Sequence, residues 1–239
     1  AKKCASMLVD RMGEKDRLSI VMYGADAEVL IPSQPVTDKR KFKSQIDAIY
    51  ASGMTALYDG WSLGAEEVAK NSHSNSISRV LLLSDGQANR GLVDEDVIAT
   101  HCQKMAEIGV STSTYGLSGY FNENLMVGMA SAGQGQAHYG QTAEDLLDPF
   151  QEEFDLLEAI LSRRIRLRIL PEKGVSFEIL NGYSQDGEGR FILPDLAFGA
   201  DVWALIQIKI NSKICSQQPE TKLKILSAYI DYLDHDGVD

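Results

Sequence analysis

The feature that most constrains the fold of this chain is a run of four apolar residues followed at once by small polar ones. Residues 79–86 read RVLLLSDG, and the Val and Leu residues do not alternate with polar ones. Such a strand is covered on both faces, as a central parallel strand in an α/β sheet is. Ligands of these sheets bind beyond the carboxyl ends of the strands, so Asp85 stands where a cation or a polar ligand would be met.

The composition is that of a globular protein with a sizeable core. The chain has 239 residues, 44% of them hydrophobic and 24% charged, enough for one large domain or two ordinary ones. No apolar run approaches the roughly 18 residues that a membrane helix needs, and no signal peptide opens the sequence. We therefore expect no membrane span.

The formal charge of −11 is unevenly spread. Residues 1–162 hold 13 Lys and Arg against 23 Asp and Glu, whereas residues 163–239 hold 10 against 11. A surface that follows nucleic-acid phosphates needs clustered Lys and Arg, so we expect no nucleic-acid partner. The acidic excess of the first part has two open interpretations, solvated helix faces or a surface that attracts cations.

The three cysteines lie far apart, are odd in number and show no metal-binding spacing. Cys4 and Cys102 fall on the apolar faces of predicted helices, where a free thiol serves as a small hydrophobe, and Cys215 lies far from both. This usage slightly favours a cytoplasmic location, with the cell surface and the periplasm as alternatives.

Helical and strand periodicities alternate through the first two thirds of the chain and predict an α/β domain over residues 1–162. Asp38 and Asp94 are predicted N-caps, and Gly109 is predicted to end a helix in the left-handed conformation. The last predicted helix of this part runs from a capping-box sequence at residues 142–145 to about Ser162.

After Ser162 the apolar period changes to two. Ile165, Leu167 and Ile169 alternate with arginines, and later strands are predicted from about Arg190 and Val202. Together with several turn signals, this pattern predicts an antiparallel, β-sandwich-like domain over residues 163–239.

Four segments of the first part carry a family resemblance. Residues 16–21 (DRLSIV), 53–57 (GMTAL), 82–86 (LLSDG) and 109–116 (GVSTSTYG) stand in this order. Their order and spacing resemble a von Willebrand factor type A domain of the bacterial type, over residues 1 to about 160. The resemblance implies a doubly wound, mostly parallel, Rossmann-like sheet flanked by helices, with a metal-ion-dependent adhesion site at its carboxyl edge.

The resemblance also implies which residues form that site. The family's site takes an Asp-x-Ser-x-Ser loop after the first strand, a threonine from a second loop and an aspartate from a third. Thr55 matches the second position and Asp85 the third. The implied cation is Mg²⁺, with Mn²⁺ or Ca²⁺ as alternatives, because hydroxyl and carboxylate oxygens are its ligands.

No segment matches the first strand and its loop. We therefore expect residues 1–239 to lack them and to be truncated at both ends, and we expect these residues alone to bind the cation poorly or not at all. A sheet without its central strand has two unpaired edges. Two explanations stay open: a segment outside residues 1–239 supplies the strand, or another chain fills the gap through strand exchange or oligomerisation.

Each candidate residue also has a plainer interpretation. Thr55 can cap the helix that follows it, and Asp85 can be an exposed acid in a turn. Asp59 is expected to be a helix-start acid, which the helix dipole favours, rather than a ligand. The histidines have no acidic or nucleophilic partner nearby in the sequence, so we expect none of them to be catalytic: His73, His101, His138 and His235.

These observations favour binding over catalysis. The expected function is a protein-interaction or adhesion module that binds an acidic group of a protein partner through its cation and its carboxyl-edge loops. One alternative is a subunit of a larger assembly whose ATPase or chelatase is a separate polypeptide, and another is a phosphoryl-transfer hydrolase that uses Asp85. Because the sequence lacks the phosphate loops, the nucleophile elbow and the zinc-protease motif, we predict that it is not an enzyme.

Overall fold

The structure, a computed structural model, describes residues 2–50, 54–73, 76–84, 88–117, 122–142, 144–211 and 223–234. It divides into two compact units, unit 1 (Ala1–Glu158) and unit 2 (Ala159–Asp239). The units meet four residues before the boundary predicted at residue 162, and that each is a separate domain stays a prediction. Among the described residues, no helix combines the length and the apolar character needed to cross a membrane.

Unit 1 alternates helices and strands, which confirms the α/β prediction. Its helices are α1 (Lys2–Arg11), α2 (Lys39–Asp47), α3 (Leu57–Ala69), α4 (Glu95–Glu107), α5 (Glu123–Ala132) and α6 (Leu147–Glu158). Its strands are β1 (Arg17–Tyr23), β2 (Ala27–Pro35), β3 (Ser78–Ser84), β4 (Val110–Leu117) and β5 (Gln134–Gly140).

The strands of unit 1 form two sets. β3, β4 and β5 pair in parallel in that order, as crossover helices between successive strands require, whereas β1 and β2 form an antiparallel hairpin. Among the described strands, β1 pairs only with β2, and β3 pairs only with β4 and not with β1. Backbone pairing is therefore interrupted between β1 and β3.

Two apolar clusters cover the two faces of these strands. One contains buried residues of α1, α2 and α6, with Ile20 of β1 and Leu81 and Leu83 of β3 packed against it. The other contains buried residues of α3, α4 and α5, together with Val80 and Leu82 of β3. Side chains of β3 therefore alternate between two covered faces, as its unbroken apolar run predicted.

Local signals in the sequence correspond to the ends of helices. The Asp38 carboxylate accepts hydrogen bonds from the backbone of residues 40 and 41, and Asp94 accepts one from the backbone of Val97. Gly109 has a φ of 90°, in the left-handed region, where a glycine is favoured. Cys4 and Cys102 are fully buried free thiols. The predictions for these five residues are confirmed.

Unit 2 is built from antiparallel strands. They are β6 (Ile160–Pro171), β7 (Val175–Ile179), β8 (Phe191–Ile192), β9 (Leu196–Ala197), β10 (Ile206–Ile210) and β11 (Leu226–Leu233). β6 pairs with β8, β9 and β11, whereas β7 pairs with β10. Ile165, Leu167 and Ile169 of β6 are buried in an apolar cluster that also receives side chains of β7 and β10.

The sequence prediction was wrong at the start of β6. The helix expected to run to Ser162 ends at Glu158, and the strand begins at Ile160. Residues 160 and 162 pair with Ala197 and Leu196 of β9, a strand too short to be predicted. This long-range pairing overrides the helix preference of the local Leu and Ala residues. The strand predicted from Val202 likewise begins only at Ile206.

Candidate metal centre

Three loops of unit 1 meet at the carboxyl ends of β1 and β3. They are the 24–26 turn between β1 and β2, residues 54–56 before α3, and residues 88–91 after β3. The backbone N–H of Ala56 donates to the carbonyl of Gly24 at 2.8 Å, which ties the second loop to the first. A backbone hydrogen bond therefore ties together the first two loops at the edge where the sequence predicts a site.

Thr55 is joined to the third loop through both of its backbone groups. Its N–H donates to Asn89 Oδ1 at 3.1 Å, and its carbonyl accepts from the backbone N–H of Asn89 at 3.3 Å. Asn89 follows Asp85 by four residues in the sequence. Thr55 is half-buried, and this reciprocal pairing holds it against the loop that leaves β3.

An arginine of the third loop reaches both other loops. The Arg90 guanidinium forms an ion pair with Asp26 of the first loop, Nη2 to Oδ1 at 2.9 Å, and its Nη1 lies 3.6 Å from the sulfur of Met54. Because both charged side chains are largely exposed, this ion pair contributes at most about 1 kcal/mol. Asp26 and Arg90 are 64 residues apart, and no sequence signal connected them.

The sequence-predicted residues have different outcomes. Thr55 is not the N-cap of α3, because Ala56 occupies that position and makes no side-chain capping bond. Asp59 lies in the first turn of α3, as expected of a helix-start acid, with its carboxylate against Gly91. Asp85 lies outside the described residues, so its role as a ligand stays a prediction. Within the described part of the chain, no three His, Cys, Asp or Glu side chains form a group that could hold a metal.

Comparisons with known proteins agree with this architecture. The sequence is 29% identical over 164 residues to the uncharacterized protein YfbK of Escherichia coli (strain K12), which covers 68% of this chain and 28% of that protein. The chain therefore spans less than a third of the length of this curated relative.

Solved structures match the fold at low sequence identity. A von Willebrand factor type A protein from Catenulispora acidiphila superimposes with a TM-score of 0.65 at 14% identity, over 87% of this chain and 51% of that one. Proximal thread matrix protein 1 from the mussel byssus, in a form with a zinc-occupied MIDAS motif, gives a TM-score of 0.52 at 20% identity, over 62% of this chain and 38% of that one. At these identities the likeness shows the fold alone.

The family model for the von Willebrand factor type A domain matches residues 1–153, well over half of the chain and nearly all of unit 1. The parallel sheet, helices α1 to α5 and the three loops at the carboxyl edge all lie within these residues, and α6 begins within them. The chain therefore belongs to the von Willebrand factor type A domain family.

Proposed function

We propose that unit 1 is a protein-interaction module whose carboxyl-edge loops bind a divalent cation through Thr55 and Asp85, and that this cation binds an acidic group of a protein partner. Domains of this family generally mediate protein–protein interaction and metal-dependent binding, and they are generally not enzymes. The zinc-occupied MIDAS motif of the mussel protein, which has a similar fold, supports a divalent cation as the ligand.

The reciprocal pairing of Thr55 with Asn89 is the observation that carries the proposal. It holds Thr55 against Asn89, which lies 34 residues further along the chain and only four residues after Asp85 in the sequence. Thr55 is also not used as a helix cap. A threonine held close to the segment that follows Asp85 supports a cation shared between these two residues.

The chemistry of the two side chains suits a hard cation. Mg²⁺ takes oxygen ligands and keeps several waters, and Mn²⁺ and Ca²⁺ accept the same hydroxyl and carboxylate ligands. A bound cation supplies the positive charge that attracts a carboxylate of a partner. Two side chains do not complete a coordination shell, so we expect residues 1–239 alone to bind the cation weakly.

Replacing Asp85 with alanine is expected to weaken Mn²⁺ binding by roughly tenfold or more, because it removes the only charged ligand of the proposed site. Thr55→Ala is expected to have a smaller effect in the same direction, since it removes a neutral ligand. Titration calorimetry on the three proteins checks this. Thr100→Ala, at an exposed threonine of α4, is the matched control and should leave the affinity unchanged. Equal Mn²⁺ affinity in the wild type and in Asp85→Ala would contradict the proposed site.

We also propose that a further β-strand, from outside residues 1–239 or from another chain, lies between β1 and β3. Each of these strands pairs on one side only among the described strands, and helices cover both faces of the interruption. At the carboxyl end of β1, the Tyr23 ring packs on Gly60, and the Tyr23 hydroxyl donates a hydrogen bond to the backbone carbonyl of Leu83 in β3. A side chain thus links β1 and β3, although their backbones do not pair. Two neighbouring strands with an unfilled backbone position between them are the arrangement that β-strand addition uses.

Amide hydrogen exchange tests this strand site. The probe is a synthetic peptide of six β-branched residues followed by Asp-x-Ser-x-Ser, added in excess to the chain. We expect it to slow exchange along β1 and β3, because it supplies backbone partners to both, and to raise the Mn²⁺ affinity. The outer edge of β5 is the control, and its exchange should not change. Exchange at β1 and β3 that does not respond to the peptide would contradict the strand site. It would not affect the test of the cation site by Asp85→Ala.

A further inference from the structure

A cluster of polar side chains lies inside unit 1, between the sheet and α6. Glu153 of α6, which is 2% exposed, accepts hydrogen bonds at Oε1 from Arg79 of β3 at 2.6 Å and from Ser113 of β4 at 2.8 Å. The Ser113 hydroxyl also accepts from the backbone N–H of Gln136 in β5 at 3.0 Å. The carboxylate therefore joins α6 directly to β3 and β4, and the Ser113 hydroxyl extends this connection to β5.

Two aromatic residues complete this cluster. The His138 ring of β5 stacks on the Tyr115 ring of β4, with 4.8 Å between centroids. His138 Nε2 lies 3.7 Å from Glu153 Oε2, which is too long for a direct hydrogen bond. Tyr115 is fully buried, and both burial and the nearby Glu153 charge raise the pKa of its hydroxyl, so the hydroxyl stays protonated.

Four buried atoms of this cluster have no hydrogen-bond partner within the described part of the chain. They are Arg79 Nε, Tyr115 Oη, His138 Nε2 and Glu153 Oε2. No other buried side-chain nitrogen or oxygen of the described residues is left in this state. A buried polar atom without a partner costs about 1–3 kcal/mol, so His138 Nε2 and Glu153 Oε2, which lie 3.7 Å apart, call for a polar occupant between them.

The chemistry of these atoms selects the occupant. Arg79 Nε and Tyr115 Oη offer donors, Glu153 Oε2 is an acceptor, and His138 Nε2 takes either role according to its tautomer. The Arg79 and Glu153 charges cancel each other. An anion at this place would be repelled by the carboxylate, and a cation would be repelled by the guanidinium. A small neutral molecule that both donates and accepts fits this set, and water is that molecule.

We propose that unit 1 contains an internal water site in which an ordered water bridges His138 Nε2 and Glu153 Oε2. A separation of 3.7 Å between these atoms allows one oxygen to lie within hydrogen-bonding distance of both. The water adds a solvent-mediated link to the direct bonds that hold α6 on the sheet. This site is independent of the cation site at the loops, because it uses none of the loop residues.

Water ¹⁷O relaxation dispersion, which counts long-lived internal waters, tests the proposal on the whole chain. His138→Phe keeps a ring against Tyr115 but removes the nitrogen, and it is expected to lose about one long-lived water relative to the wild type. His73→Phe, at an exposed histidine, is the matched control and should lose none. An unchanged count in His138→Phe would overturn the water site.

A high-resolution crystal structure of the wild type keeps the test decisive if His138→Phe does not fold. The expected result is a density peak within about 3.2 Å of both His138 Nε2 and Glu153 Oε2 that refines as water. A dry contact between these atoms, or a peak that refines as an ion, would overturn the proposal.

Discussion

Glu153→Gln is expected to lower the free energy of unfolding of unit 1 by about 3–5 kcal/mol. The carboxylate is almost completely buried and forms an ion pair with Arg79, whose side chain is only 11% exposed. Removing one partner of a buried pair leaves the other charge without compensation, and that penalty dominates the loss. Urea denaturation measures it, best in a Trp203→Phe background where the buried Trp61 of unit 1 is the only tryptophan.

The neighbouring residue of the same helix provides the control. Glu152 is exposed, so Glu152→Gln should change the unfolding free energy by no more than about 0.5 kcal/mol. If Glu153→Gln were as mild as Glu152→Gln, the buried ion pair would not hold α6 to the sheet.

The loss caused by Glu153→Gln should also depend on pH in a defined direction. Burial opposes ionisation of Glu153, but His138, the Arg79 charge and the Ser113 hydroxyl outweigh it and hold the pKa of this carboxyl below its ordinary value. A depressed folded-state pKa contributes stability above the unfolded pKa, near 4.3, and this stability is lost as the pH falls through the folded value. The difference between wild type and variant should therefore be largest at neutral pH and shrink in acid.

Gly135→Ala is expected to destabilise unit 1 by about 3 kcal/mol or more. A Cβ at this position of β5 would lie 2.1 Å from the carbonyl oxygen of Thr112 in β4, and backbone atoms cannot rotate away as a side chain does. The β4–β5 register shifts beside Thr112, so Gly135 lies at an irregularity where the two backbones approach closely. Thermal or urea unfolding measures the loss.

A second glycine supplies the matched control. Gly128 lies within α5, where an added Cβ would meet nothing within 4 Å. Gly128→Ala is expected to stabilise unit 1 by about 0.5–1 kcal/mol, because alanine loses less backbone entropy in a helix. Two alanine variants with equal stability would contradict the close approach of β4 and β5.

Patterns that depend on neighbouring residues predicted much of unit 1. The Asp38 and Asp94 caps, the left-handed Gly109 and the doubly covered β3 each follow from a few residues and their local chemistry. The pairing of strands that lie far apart in the sequence could not be predicted from such local patterns. The early start of β6 depends on β9, more than 30 residues further along the chain.

Buried polar residues escaped prediction for a different reason. Thr112, Ser113 and Thr114 are completely buried although their hydroxyls make the strand look polar. Glu153 stands among other acidic residues of α6, and a charged side chain on a helix is ordinarily expected to be solvated. His138 has no acidic neighbour in the sequence because Glu153 is 15 residues away, whereas the fold brings these two side chains to within 3.7 Å of each other.

The candidate site was only partly accessible from the sequence. The family resemblance predicts Thr55 and Asp85 as ligands, and the described structure pairs Thr55 with Asn89, four residues after Asp85 in the sequence. The Arg90 contacts with Asp26 and Met54 join three loops that no local pattern connects.

The position of a bound paramagnetic cation tests the central claim most directly. We predict that substoichiometric Mn²⁺, added to the ¹⁵N-labelled chain, broadens the amide signals of Thr55, Ala56 and Asn89 first. The signal of Gly109, at the opposite end of the parallel strands, should be spared, and Asp85→Ala should abolish the selective broadening. Broadening centred on another part of unit 1, or selective broadening that persists in Asp85→Ala, would contradict a cation site at these loops.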